Sequence, residues 1–144
     1  MEEVEFQVGL SSTYWSKPPE VRAKIDDHLI LDYPLLGERT VDWKGKLEEG
    51  PHQLTIELLN KSNKQTVVEN NKIIKDQLIH IKYLYLDQID IGEMLWTKSI
   101  YYPKPEQTDP DRPTEMKNCI DLGYNGKWVF AFSVPTYIWL LENI

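Results

Sequence analysis

The sequence predicts an all-β chain, a β-sandwich or jelly roll with a short C-terminal helix. Three observations carry this. Apolar and polar residues alternate over several short runs, the pattern of strands whose side chains point to opposite faces. Turn-forming residues recur about every eight to twelve positions. No long amphipathic helical pattern occurs before the C-terminal end. A closed up-and-down barrel is the second choice, because long loops fit a sandwich better. The 144 residues read as a single domain, 1–144, able to bury a core without staples.

The elements follow in order. Phe6, Val8 and Leu10 share a parity and mark a first strand over Glu5–Leu10. Pro18 and Pro19 lack backbone donors, so the stretch from Ser11 to Pro19 reads as loop or edge. Val21–Ile25 and Leu29–Leu31 flank the turn signal Asp26-Asp27 and form a hairpin. Val41, Trp43 and Leu47 lie on one parity, as do Leu54, Ile56 and Leu58 beyond Glu48-Glu49-Gly50-Pro51. These two runs read as a second hairpin over residues 39–59. The polar stretch 60–71 is a long loop with a short strand around Thr66–Val68.

The longest candidate strand is Leu78–Leu86, with Ile79, Ile81, Tyr83 and Tyr85 on one uniformly apolar or aromatic face. Asp87-Gln88 turns into Ile89–Gly92, and residues 94–102 form another strand. Residues 103–117 hold four prolines and form a loop of the long kind that often carries function. Asn125-Gly126 signals a type I′ turn between Ile120–Leu122 and Lys127–Val134. Trp128, Phe130 and Phe132 give the last strand an aromatic inward face. Tyr137, Leu140, Leu141 and Ile144 fall at helical spacing after Pro135, with Trp139 on the flank.

Composition narrows the function classes. The net charge is −7 and the lysines are scattered, so the basic stripe that nucleic acid or an anionic membrane requires is missing. No apolar run reaches bilayer length, and the acidic start lacks the features of a signal peptide. The expectation is synthesis in a cytoplasm without secretion. Cys119 is the single cysteine and reads as a small, buried or half-buried apolar residue. His28, His52 and His80 each stand alone, without zinc-ligand spacing. Nucleophile elbows, P-loops and dinucleotide fingerprints do not occur. Asp87 with Asp90, or Asp109 with Asp111, offer paired carboxylates for glycoside hydrolysis, but read more simply as solvated turn residues.

Two features point to binding. Five Trp and eight Tyr are many for this length, and most of them, Trp43 and Trp128 included, belong to the core. Trp15, Trp96, Tyr101 and Tyr102 lie in or beside the Pro-rich loops, where a flat ring can stack on a sugar. The polar loop supplies oxygen donors for calcium, with Asn60, Glu69 and Asp76 as the candidate metal set, beside Asn70 and Asn71.

Four stretches carry a resemblance: Gly50–Lys61, Ile74–Ile81, Leu86–Ile91, and Gly126-Lys127-Trp128 with Pro135–Glu142. They look like small proteins of tailed-phage genomes, marine and cyanobacterial phages above all. The first three also resemble, more distantly, calcium-dependent carbohydrate-binding modules of the xylan-binding type. Those are jelly rolls whose ligand loop uses acidic residues and a metal. Gln65 stands where that pattern has an acidic residue.

The resemblance implies a non-enzymatic virion protein, decorating the particle or associated with a fibre. Its partners are other virion proteins or copies of itself, and a surface glycan of the host. The alternative is a free-standing calcium-dependent carbohydrate-binding module. A carbohydrate hydrolase is the third reading.

Overall fold

The computed structural model describes residues 1–143. Its strands in chain order are β1 (Glu2–Thr13), β2 (Glu20–Ile25), β3 (His28–Pro34), β4 (Glu38–Leu47), β5 (Gly50–Leu58), β6 (Val67–Glu69), β7 (Lys72–Lys75), β8 (Leu78–Leu86), β9 (Ile89–Asp90), β10 (Ser99–Pro103), β11 (Met116–Lys117), β12 (Asp121–Leu122) and β13 (Gly126–Val134). Two helices, α1 (Gly92–Thr97) and α2 (Thr136–Asn143), flank β10 and end the described chain.

All strands but β6 and β7, which pair as a separate hairpin, form two antiparallel sheets. One has the order β12-β8-β1-β4, with β9 beside β8; the other runs β11-β10-β13-β5-β2-β3. Their apolar faces meet. Phe6 of β1 stands edge-on to Phe132 of β13 with ring centroids 5.0 Å apart, and both are buried among Val8, Leu54, Ile56, Ile81 and Trp128. This is the predicted sandwich, closed by the predicted short helix.

The pairing departs from the sequence reading at its clearest signal. The strands expected as a hairpin over 39–59 both form, yet β4 pairs with β1 in the first sheet, and β5 pairs with β13 and β2 in the second. Glu48-Glu49 is therefore a corner between sheets. Alternation reports which face of a strand is greasy, and two strands whose greasy faces oppose each other satisfy it as well as two neighbours do. The β2–β3 hairpin does form, with Asp26 at φ 52° in its turn.

A bulge corrects β8. Opposite it, Gly9 pairs with Tyr83 and Leu10 with Ile81, which leaves Lys82 as an extra residue. Parity flips there, so Ile79, Ile81, Leu84 and Leu86 are buried. Tyr83 and Tyr85 turn outward, against expectation. Gly9 is required at this point, because a Cβ would lie 2.0 Å from the Tyr83 ring.

Two more segments differ. Residues 92–97 are helical rather than extended, and only 99–103 form the strand. In α2 the buried residues are Thr136 and Leu140, and Trp139 packs edge-on against Phe130 at 5.8 Å. Tyr137 and Leu141 of the expected stripe are exposed, and Ile144 lies outside the described residues. Trp43 is half-buried rather than a full core residue, with its ring over Gly45.

A histidine ties the β2–β3 turn to β5. His52 Nδ1 lies 2.6 Å from Asp26 Oδ2, and Nε2 lies 2.6 Å from the Glu48 carbonyl. Burial by itself would lower the His52 pKa; the bonds to Asp26 and Glu48 outweigh it and raise the value above 6.5. The folded state therefore binds this proton more tightly. Its contribution to stability is complete below the unfolded value and fades as pH rises through the folded one. Unfolding curves across that window should show this loss in the natural chain, and His52→Asn should flatten it.

Candidate functional site

One end of the sandwich gathers three connections, two of them long. They are the β5–β8 segment with its β6–β7 hairpin, the Pro-rich loop between β10 and β11, and the crossing from β12 to β13. Between them lies a cleft of about 370 Å³, lined among others by Lys61, Thr66, Asp76, Asp109, Arg112, Tyr124 and Asn125.

Lys61 organises one wall. Its ammonium lies 2.7 Å from Asp76 Oδ1 and 2.6 Å from the Gly123 carbonyl. Its backbone N–H donates to Asn125 Oδ1 at 2.7 Å, and Asn125 Nδ2 donates back to the Lys61 carbonyl at 2.7 Å. Thr66 Oγ1 and the Gln77 N–H also donate to Asp76 Oδ1. Burial would raise the Asp76 pKa, but Lys61, Thr66 and Gln77 outweigh it and hold the carboxyl below its ordinary value. The site keeps a fixed carboxylate with a tethered cation.

Arg112 organises the other wall. Its guanidinium lies 4.5 Å from the Tyr124 ring centroid, donates to Asp109 Oδ2 at 3.1 Å, and donates to the Lys104 carbonyl at 3.0 Å. Stacked on a ring and held at two points, it is preorganised in the way a bidentate donor needs.

The expected type I′ hairpin at Asn125-Gly126 is absent, because β12 and β13 belong to different sheets. Asn125 spends its amide on Lys61 instead. Gly126 sits at φ 156°, and a Cβ there would come within 2.4 Å of the Tyr102 carbonyl. Both residues serve close approach of the loops rather than a tight turn.

The sequence-predicted residues divide. Tyr102 is 41% exposed and lines two further clefts along the Pro-rich loop. Tyr101 is corrected. It is buried, its hydroxyl donates to the Tyr124 carbonyl and accepts from the Tyr124 N–H, and burial raises its pKa. Neighbours in a strand point to opposite faces, so Tyr101 and Tyr102 cannot both meet a ligand. Trp15 is half exposed, yet its indole N–H donates to the Gln65 carbonyl and Lys75 Nζ lies 4.7 Å above its ring. Trp96 lies exposed on α1, outside the lining of these clefts.

The proposed calcium ligands are not brought together. Asn60 accepts from the Glu20 N–H and donates to the Pro18 carbonyl. Glu69 is exposed on the β6–β7 hairpin, and Asp76 is held by Lys61. Among the described residues no group of three His, Cys, Asp or Glu side chains could hold a metal. An ammonium already fills the oxygen-lined position beside Asp76, so this set does not fit a calcium ion.

Other candidate chemistry resolves into structure. Asp87 accepts from the Glu5 N–H and from Thr136 Oγ1, and Asp90 accepts from the Gly92 N–H. Cys119 Sγ donates to the Asp121 carbonyl, and burial raises its pKa, which favours the thiol over the thiolate. His80 does not stand alone: Nε2 is 2.7 Å from Thr13 Oγ1 and Nδ1 is 2.6 Å from Asp121 Oδ1. That order imitates an acyl-transfer relay, in whose serine-protease template the carboxylate is buried. The Asp121 side chain is 64% exposed, so the trio serves as a strap across β1, β8 and β12.

Sequence reasoning missed Lys61, Arg112 and Tyr124. The Asp109–Arg112 spacing within a Pro-rich loop was their one local signal.

Solved structures share this architecture. A carbohydrate-binding module, vCBM60, in complex with galactobiose aligns with a TM-score of 0.56, at 10% identity, over 88% of this chain and 96% of that one. The chain has the jelly-roll fold of such a module. A selenomethionine form of vCBM60, described as linking two families of calcium-dependent carbohydrate-binding modules by circular permutation, aligns at 0.55 and 10% identity, over 88% of this chain and 89% of that one. No protein-family model and no curated protein sequence matches the chain.

Proposed function

We propose that this chain is a non-catalytic carbohydrate-binding module whose ligand lies in the cleft between Lys61, Asp76, Arg112 and Tyr124. The observation that carries the reading is the fixed array of planar polar groups beside an aromatic ring. The Arg112 guanidinium beside the Asp76 and Asp109 carboxylates matches the paired hydroxyls of a sugar, and rigid placement limits the entropy lost on binding. The fold supports the same reading, because a jelly roll of similar architecture holds galactobiose. This favours the binding-module alternative over a purely structural virion role.

Virion display rests on the resemblance of the sequence alone, and mass spectrometry of purified particles tests it. Binding is tested by calorimetric titration with a panel of neutral and acidic oligosaccharides. At least one saccharide is expected to bind, and Arg112→Ala to weaken it about tenfold or more through loss of a charged hydrogen bond. A blank panel would sink the reading.

A further inference from the structure

A row of side chains crosses the outer face of the second sheet. The register aligns Asp32, Arg22, Glu57, Lys127 and Tyr102 on the neighbouring strands β3, β2, β5, β13 and β10. At the usual strand spacing it extends roughly 19 Å. Its charges alternate in sign and end on an exposed aromatic ring.

Glu57 is the anomaly in this row. It lies on the outward parity, yet it is only 7% exposed. Its Oε1 has no hydrogen bond among the described residues. Lys24 Nζ stands 3.6 Å away, close enough to balance charge but beyond hydrogen-bond reach. Buried acceptors without a donor are rare in folded proteins, and one at the wall of a cleft calls for a donor from outside, an ordered water or a ligand hydroxyl that replaces it. Glu57 lines a cleft of about 410 Å³ together with Tyr102, Lys127 and Asn125.

We propose that this cleft is a second saccharide subsite. A sugar ring stacks on Tyr102 and one of its hydroxyls donates to Glu57. The ligand is neutral: a uronate would meet the Glu57 carboxylate, and a cationic ligand would meet Arg22, Lys24 and Lys127. Asn125 lines both this cleft and the Lys61–Arg112 cleft, so one oligosaccharide can engage both and gain by avidity. The inference rests on the reading of the chain as a carbohydrate-binding module.

The test follows backbone amide shifts of the full chain during titration with galactobiose and cellobiose. Shifts are expected in two patches, one around Arg112 and Tyr124 and one around Glu57 and Lys127. Glu57→Gln and Tyr102→Ala should each weaken the second patch about tenfold and leave the first unchanged. Tyr102 is surface-exposed, so its variant should melt as the natural chain does, which separates lost binding from lost folding. Digalacturonate should leave the second patch still. Shifts confined to the first patch, variants that bind normally, or a stronger response to digalacturonate would overturn the subsite. Silence at both patches would overturn the subsite together with the binding-module reading.

Discussion

Lys61→Met is expected to lower the free energy of unfolding by about 3 kcal/mol, because it strands a largely buried carboxylate. The Lys61 and Asp76 side chains are 11% and 16% exposed, so solvent screens their attraction only weakly. The variant also frees the Gly123 carbonyl, and with it one of the ties between the β5–β8 segment and the β12–β13 crossing. Ligand affinity should therefore fall along with stability. The double variant Lys61→Met/Asp76→Asn should recover part of the stability and none of the binding, since it removes the stranded charge without rebuilding the wall. Urea unfolding of the four combinations measures the coupling. A loss below about 1 kcal/mol, the range of exposed pairs, would show that the ammonium does not organise the loops.

The same pair has a signature in acid. The Asp76 carboxyl is held below its ordinary value. Its contribution to stability is complete above the unfolded carboxylate range and is lost as pH falls through the folded value. Lys61→Met should make that acid-side slope shallower.

Trp128→Ala is expected to cost about 4 kcal/mol, the range for truncating a large buried aromatic. For a chain of this size that corresponds to a melting temperature lower by about 10 °C. Trp128 is fully buried, its ring lies nearly parallel to Phe130 at 6.2 Å, and its indole N–H donates to the Cys119 carbonyl at 3.1 Å. The residue thus joins the core to the chain just before β12, at the edge of the candidate site. Thermal unfolding checks the cost. A shift of only a few degrees would mean that the two sheets do not close over this ring.

Trp128 also shows what the sequence made legible. Its parity with Phe130 and Phe132 places all three inward, and the structure agrees. Strand positions and greasy faces follow from a period of two, and that information is local. Partners are not local. β4 and β5 read as neighbours and lie in opposite sheets, because each one's apolar side is satisfied across the core as well as beside a hairpin mate. The extra residue at Lys82 reverses the faces of Tyr83 and Tyr85, and the room for the Tyr83 ring is left by a glycine on another strand.

The site was less legible for the same reason. Asp76 stands out in the sequence as an acidic loop residue and a candidate calcium ligand, but its partner is the Lys61 ammonium. Nothing in the spacing of Lys61 and Asp76 distinguishes a salt bridge from two solvated charges. Arg112 and Tyr124 lie on separate loops and meet only once β12 and β13 have parted to different sheets. Asn125-Gly126 is among the strongest short hairpin signals a sequence can carry. Here its two residues are consumed by long-range contacts, an amide clamp on Lys61 and a close pass by Tyr102.

In the proposed carbohydrate-binding site a covalently tethered cation, Lys61, holds the loops in place of a metal. The most direct test titrates the oligosaccharide panel into protein stripped with a chelator and again into protein supplied with calcium. Equal affinity under both conditions is the predicted result. Binding that appears only when calcium is added would contradict it.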